Sequence, residues 1–538
     1  MRQWRILIPI LAILSLLGSS LPAGAQAEPD QQRKMTPLFQ SPNARINSDL
    51  AFWGNYAFQG YYDGTSLTFG DSGVRIFDIS NPAAPVEIKD FKCDGQQNDP
   101  ILWDRNGNGI PDLLLLAVDR TMESPACGAA RATDAAGARF DAKPTGWEGV
   151  RVLTMSDDPA NPFATIQQVA AVYTDCGAHT ITLWPEFADD ATNPRLLVYA
   201  SSYPLRPGPT CGQTQTTPPP YLNTSNPYDA DVGSPNNPIH GVIQTVEVPL
   251  NNPAASHELT PAGQLPISYP GDPDNQIDWT ERGLTGLEPA ARACHDIVVR
   301  VEDRLAGAAC AEQGQVWEIG SNGLPDTASP ISIHDDEVSS GNSAQSTIPG
   351  AIDFFHSAMF NNAGTVVNWV DESFGEGCPT ETEWQARPWH PAGTHKTGRM
   401  FFSDLEGNFL SEFHVGDRRP QADPESYCSA HMGMAVKGVN RDLLVNAWYT
   451  GGVDVIDFSD PVNLKEIAYH KFGGTFGSDD WSAYPYTGPM FKGAGIPVYA
   501  SDGVEEPSTA RGTVVFRALL PKPGTSKLVD HLNPQTMD

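Results

Sequence analysis

An all-β fold, a single seven-bladed β-propeller of four-stranded blades, is predicted by three features of the 538-residue sequence. A turn-linked pair of strands recurs seven times, a further strand opening on a polar residue precedes each copy, and helical periodicity is almost absent. The 47 prolines and 49 glycines suit a turn-rich β chain rather than a helical bundle.

The plainest copy of the pair is GVRIFDISNPAAPVEI at 73–88. Alternating apolar residues make a strand, Asp-x-Ser-Asn-Pro makes a turn, and a second strand returns. GGVDVIDFSDPVNLKEIAYH at 451–470 repeats it, and looser copies begin at Gly149, Gly241, Gln315, Asn408 and Gly512. The preceding series reads DLAFW at Asp49, DPILW at Asp99, HTITLW at His179, HDIVV at His295, HSAMF at His356, HMGMA at His431 and WSAYPY at Trp481. Between them lies a middle strand, as in NYAFQGYY, LLLLAVD, RLLVYASSY, TVVNWVDE, LLVNAWYT and PVYASDG. Inner strand, middle strand and outer pair complete a blade, and radial repetition protects the sheet edges. An array of β-sandwiches is the other reading of the same strands.

The propeller is expected over 46–519, between an N-terminal extension at 28–45 and a C-terminal tail at 520–538. The widest spacing of inner strands, from His179 to His295, is filled by long loops at 203–240 and 272–289 from blade three. Residues 1–27 have the layout of a secretory signal peptide, with Arg2 and Arg5, an apolar core at 6–17 and Ala25-Gln26-Ala27 as the cleavage site. The protein is therefore expected to be secreted, either extracellular or periplasmic and on the exterior of the cell envelope, and monomeric. No other stretch approaches the roughly 20 apolar residues of a transmembrane helix, so membrane insertion is not expected.

The net charge of −31 becomes two units more negative when Arg2 and Arg5 leave with the signal. Such a surface repels phosphate backbones, which argues against nucleic acid as a partner. Eight cysteines, Cys93, Cys127, Cys176, Cys211, Cys294, Cys310, Cys378 and Cys428, form an even set in an exported chain and predict disulfides. Pairing between neighbours is the economical arrangement, because each bond then falls within or next to one blade. No CxxC is present.

In a propeller the inner strands line a central channel, so the residues that open them lie at one level and face one another. By this alignment the ring reads Asp49, Asp99, His179, His295, His356, His431 and Trp481. Four of the twelve histidines thus stand on consecutive blades, and the two carboxylates complete most of the ring. Converging imidazoles suit iron, copper, zinc or nickel, and open positions on the metal can activate water or dioxygen. The arrangement is similar in architecture to the four-histidine iron site of carotenoid-cleaving propeller oxygenases, without sequence likeness. Structurally, the same histidines can instead bond the backbone of the next blade and hold the blades in register. Strand alternation points Asp296 into the sheet stack. Asp371 and Glu372, which follow the middle strand of blade five, can serve as acid–base groups, with salt bridging or turn capping as the expected role.

A second candidate is DRNGNGIPD at 104–112, where Asp104, Asn106, Asn108 and Asp112 alternate as in a calcium loop. Leu115 stands where an EF-hand has its bidentate glutamate, so a calcium ion there would be weakly held, and a hairpin turn rich in Asn-Gly is the alternative. The sequence contains no P-loop, no GxGxxG opening a helix, no HExxH and no GxSxG.

The phrases SDLAFWGNYAFQGYYDG, GVRIFDISNPAAPVEI, CGAHTITL, CHDIVV, FFHSAMFNNAGTVVNWVDE and CSAHMGMAVKGVNRDLLVNAWYTGGVDVIDFSDP resemble secreted bacterial LVIVD-repeat proteins over most of 49–503. The resemblance implies the propeller and export, and no particular reaction. Trp481 at the last ring position and the proline-rich stretch after Leu519 depart from the pattern. Two functions are expected. The preferred one is an extracellular binding or scaffold protein for an unassigned ligand or partner protein. The alternative is a metal-dependent oxidoreductase or hydrolase with His179, His295, His356 and His431 as ligands.

Overall fold

Runs such as LLLLAV build strands that are apolar on both faces, which is what a sheet stacked between two neighbours requires. The computed structural model describes residues 29–43, 45–62, 71–130, 147–174, 177–201, 242–259, 262–267, 276–277, 290–291, 294–310, 313–335, 354–372, 382, 398–418, 428–473, 477–489, 494–503, 510–520 and 529–538. They form seven antiparallel four-stranded blades around a channel.

Blade one runs outward as Ile46–Trp53, Tyr56–Tyr62, Gly73–Asp78 and Val86–Lys92. Blade two is Gln97–Trp103, Leu113–Met122, Trp147–Met155 and Ile166–Tyr173. Blade three is Thr180–Trp184, Arg195–Ser201 and Val242–Pro249, edged by two short strands, His257–Glu258 and Gln264–Pro266. Blade four is Asp296–Arg300, Leu305–Cys310, Gln313–Glu318 and Ser332–Asp335. Blade five is Phe355–Phe360, Val366–Asp371, Met400–Asp404 and Phe409–Phe413. Blade six is Gly433–Ala435, Leu443–Ala447, Val453–Asp457 and Lys465–Lys471. Inner strands are almost wholly buried, whereas the outer strand VEIKDFK of blade one is mostly exposed.

Blade seven corrects the expected boundaries. Its first three strands are Asp480–Pro485, Ile496–Asp502 and Gly512–Ala518, but its outer strand is Met35–Ser41, from the segment read as an extension. Met35 pairs with Ala518 and Ser41 with Thr513. The stretch after Leu520 carries Pro521 and Pro523, which lack the N–H donors a ladder needs. Pro37 is tolerated in its place because an outermost strand has one unpaired edge. Just before it, Gln31–Arg33 pairs with the outer strand of blade six, and Lys34, at φ 54°, turns the chain from one blade to the next.

Residues 529–538 of the expected tail are likewise part of the propeller. His531–Leu532 pairs with Phe52 and Trp53 of blade one. Asn533 accepts from Leu102 N at 2.7 Å and donates to Leu102 O at 3.0 Å in blade two. Thr536 Oγ1 donates to Leu183 O in blade three, and Thr536–Met537 pairs in parallel with Val299 and Arg300 of blade four. Leu532, Asn533, Gln535, Thr536 and Met537 are buried. The tail thus crosses the channel at the ends of the inner strands opposite to the ring residues.

Two smaller shifts concern blades four and five. The middle strand LAGAAC of blade four escaped notice because small residues carry little strand signal. In blade five the copy at Asn408 forms only the outer strand, and MFFSD at Met400–Asp404 is the third.

Disulfides join Cys93 to Cys127 and Cys294 to Cys310, as neighbour pairing predicts. Cys428 is also disulfide-bonded. Cys176, Cys211, Cys378, the signal peptide and the loop at 203–240 lie outside the described residues, as does most of 272–289. Its Gln276–Ile277 pairs with Ala290–Ala291. Among the described residues no helix is long and apolar enough to cross a membrane.

Candidate metal centre

Regular pairing starts just after the ring residue in six of the seven blades: Leu50 with Gln59, Pro100 with Leu116, Thr180 with Ser201, Asp296 with Ala309, Ser357 with Val370 and Ser482 with Ser501. In blades one, two, five and seven a shift of register falls at the ring residue itself, and such bulges re-aim side chains. The four imidazoles form a continuous arc. Ring centroids are 4.4 Å apart from His179 to His295, 3.8 Å from His295 to His356 and 4.0 Å from His356 to His431. Trp481 extends the arc, 4.6 Å from His431.

Three of the rings are anchored through Nδ1. His179 Nδ1 lies 2.7 Å from Asp119 Oδ2, His295 Nδ1 is 3.1 Å from the carbonyl of His356, and His431 Nδ1 is 2.5 Å from that of Trp481. An acceptor at Nδ1 assigns the proton there and leaves the lone pair on Nε2, the tautomer that ligates metals. The bond that keeps blades in register therefore also sets the tautomer of each ring. His356 differs, because it is fully buried and neither ring nitrogen has a hydrogen-bond partner. Its Nε2 lies 3.8 Å from Glu372 Oε2, and His431 Nε2 lies 3.9 Å from Glu372 Oε1.

One ligand atom each from His295, His356 and Glu372 lies within 4.8 Å of the others. Metal bonds of about 2.1 Å at right angles bring ligand atoms to roughly 3.0 Å of one another, so small side-chain rotations would close the set. Burial holds the pKa values of His295 and His356 well below the ordinary imidazole range, and neighbouring imidazoles lower them further. Burial likewise lowers His431 to about 3. These three rings are neutral at physiological pH, the state in which imidazole binds metal.

Glu372 and Asp371 have separated in role. Asp371 caps turns, accepting from Phe354 N at 3.0 Å and Gly398 N at 2.8 Å, while Glu372 faces the histidines. The sequence reading overlooked Asp119, Gln97 and Tyr449. Gln97 places its amide nitrogen 3.3 Å from His179 Nε2, which accepts from it, and Tyr449 donates to Glu372 Oε1 at 2.7 Å. Gln97 and Tyr449 sit at φ 72° and 45°, conformations that are rare and costly for such residues and that concentrate at functional sites. A signal existed for Asp119 and Tyr449, since both lie near the ends of middle strands on the face where inner strands begin.

Asp49 and Asp99 stand apart from this set. Asp99 Oδ1 accepts from Asp49 N at 3.2 Å, and Asp49 Oδ2 accepts from Gln535 of the tail at 3.3 Å. Asp296 does not turn into the stack, because it lines a small cavity with Ser357, Met432 and Gln535. Burial raises all three carboxyls above their ordinary value, and the charge of Asp49 adds to the rise at Asp99 and Asp296.

The loop at 104–112 satisfies itself. Asp104 accepts the backbone N–H groups of Asn106, Gly107 and Gly109. Asn106 and Asn108 accept from Asn108 N and Ile110 N and donate to Asp157, and Asp112 pairs with Arg105 at 2.8 Å. The oxygens a calcium ion would use are engaged by these donors.

No family model and no curated protein matches the chain. Solved structures with which it aligns include a putative 6-phosphogluconolactonase from Bacteroides fragilis, at 8% identity over 92% of this chain and 97% of that one, with a TM-score of 0.38. The Dos1 propeller aligns at 10% identity over 90% and 81%, with a TM-score of 0.39. Raptor from Chaetomium thermophilum aligns at 8% identity over 93% and 30%, with a TM-score of 0.40. Likenesses this distant carry no argument about function.

Proposed function

We propose that this chain is an exported propeller of the LVIVD-repeat type that holds a transition metal at one end of its channel and acts as a metal-dependent oxidoreductase. His295, His356 and Glu372 form the core of the site, with His179 and His431 beside them. The observation that carries this reading is His356, a buried imidazole with no hydrogen bond at either nitrogen and a carboxylate oxygen 3.8 Å from Nε2. An unpaired buried polar group costs about 1–3 kcal/mol, which a metal–ligand bond offsets. Two histidines and one carboxylate with open positions are the donor set of non-haem iron(II) oxygenases, so iron is the expected metal. A purely structural ring would bond every imidazole to a neighbouring blade, and His356 makes no such bond.

The test is elemental analysis of protein purified without a histidine tag, before and after anaerobic loading with iron(II), zinc or copper. One equivalent of iron is expected, lost in His356→Ala and Glu372→Ala. Stoichiometric zinc alone would turn the reading toward a hydrolase with a metal-activated water. No stoichiometric metal after loading would remove it and favour the binding or scaffold function.

A further inference from the structure

Tyr449 lies two residues beyond the middle strand of blade six, in the turn that leads to the next strand, and its backbone is held in the left-handed region at φ 45°. A bulky aromatic residue reaches that region only where its surroundings enforce it. Here a tight turn does so, closed by bonds from Gly451 N to Trp448 O at 2.7 Å and from Gly452 N to Tyr449 O at 3.1 Å, and two further bonds tie it to blade seven, from Tyr449 N to Asp480 O at 3.0 Å and from Asp480 N to Tyr449 O at 3.2 Å. The consequence is the position of the side chain. The ring packs 4.6 Å from that of His431 and edge-on to Trp481, and the phenol reaches across to blade five to donate to Glu372 Oε1 at 2.7 Å.

That bond uses one carboxylate oxygen and leaves Oε2 on the side of His356 Nε2, 3.8 Å away. We infer that Tyr449 is a positioning residue of the metal centre, engaging Oε1 of Glu372 so that the carboxylate is presented to a metal through its other oxygen. The inference rests on the metal reading above.

Cobalt(II) alone is the probe, because its visible absorption reports the number and kind of ligands. Wild type and Tyr449→Phe are titrated with cobalt(II), and the thermal midpoint of each metal-free protein is recorded. The phenylalanine ring keeps the packing against His431 and Trp481, so the variant is expected to fold. Its cobalt affinity should fall about 10- to 100-fold, the usual effect of removing an outer partner of a ligand, and its visible bands should shift. A folded variant with unchanged affinity and unchanged bands overturns the inference while leaving the metal reading intact. If the phenylalanine variant does not fold, Tyr449→Leu, which also withdraws the phenol and brings no donor, is titrated and read in the same way. Absence of cobalt binding by the wild type overturns the metal reading, and this inference with it.

Discussion

Asp119 Oδ2 lies 2.7 Å from Nδ1 of His179, so a carboxylate from the second strand of blade two holds an imidazole that opens blade three. Both groups are buried, and the pair ties two blades at the level of the histidine arc. A carboxylate at Nδ1 fixes the ring and makes Nε2 a better donor. Asp119→Asn keeps the shape and removes the charge, so metal affinity is expected to drop about tenfold with little change in the fold. Competition against a coloured chelator measures it. Equal affinity in the two proteins would mean that the pair serves only to join the blades.

His356 predicts an exchange of stability for function. In the metal-free protein its two unpartnered nitrogens are a liability, and His356→Leu replaces them with apolar atoms of similar volume. The variant should gain about 1–3 kcal/mol in metal-free denaturation while losing metal binding. A loss of stability instead would show that the imidazole is satisfied by something other than a metal.

The blades were legible in the sequence because period-two alternation and turn residues are local signals. So was the histidine arc, since each ring residue opens a strand of the same pattern. What closes the molecule was not legible. Met35–Ser41 and His531–Leu532 pair with strands hundreds of residues away, and no local pattern names a distant partner. The same holds at the site. Glu372 was visible only as one of two adjacent acids, and its separation from Asp371 depends on the turn that gives Asp371 two backbone donors.

The tail should loosen at alkaline pH. His531 lies between Asp530 at 2.9 Å and Asp538 at 2.8 Å. Burial lowers its pKa, but the two carboxylates outweigh that and raise it from 6.5 to about 9. A raised folded-state value means the protonated ring stabilises the docked tail fully below about 6.5, and that this contribution is lost as pH rises through about 9. Hydrogen exchange over 529–538 is expected to quicken across that window beyond its intrinsic base catalysis, and His531→Asn should remove the extra rise. A pH dependence identical in variant and wild type would separate docking from this histidine.

The loop at 104–112 gives a prediction about calcium. An ion there would have to displace Arg105 from Asp112 and compete with three backbone N–H groups for Asp104. Each displaced bond to a charged group is worth about 1.5–3 kcal/mol, and the missing bidentate glutamate offers no compensation. The thermal midpoint is therefore expected to be the same with calcium and with excess chelator. Asp112→Asn, which breaks the ion pair, should lower the midpoint equally in both. A midpoint that falls by several degrees on chelation would instead make the loop a calcium site, with Asp104, Asn106, Asn108 and Asp112 rearranged from their present hydrogen bonds.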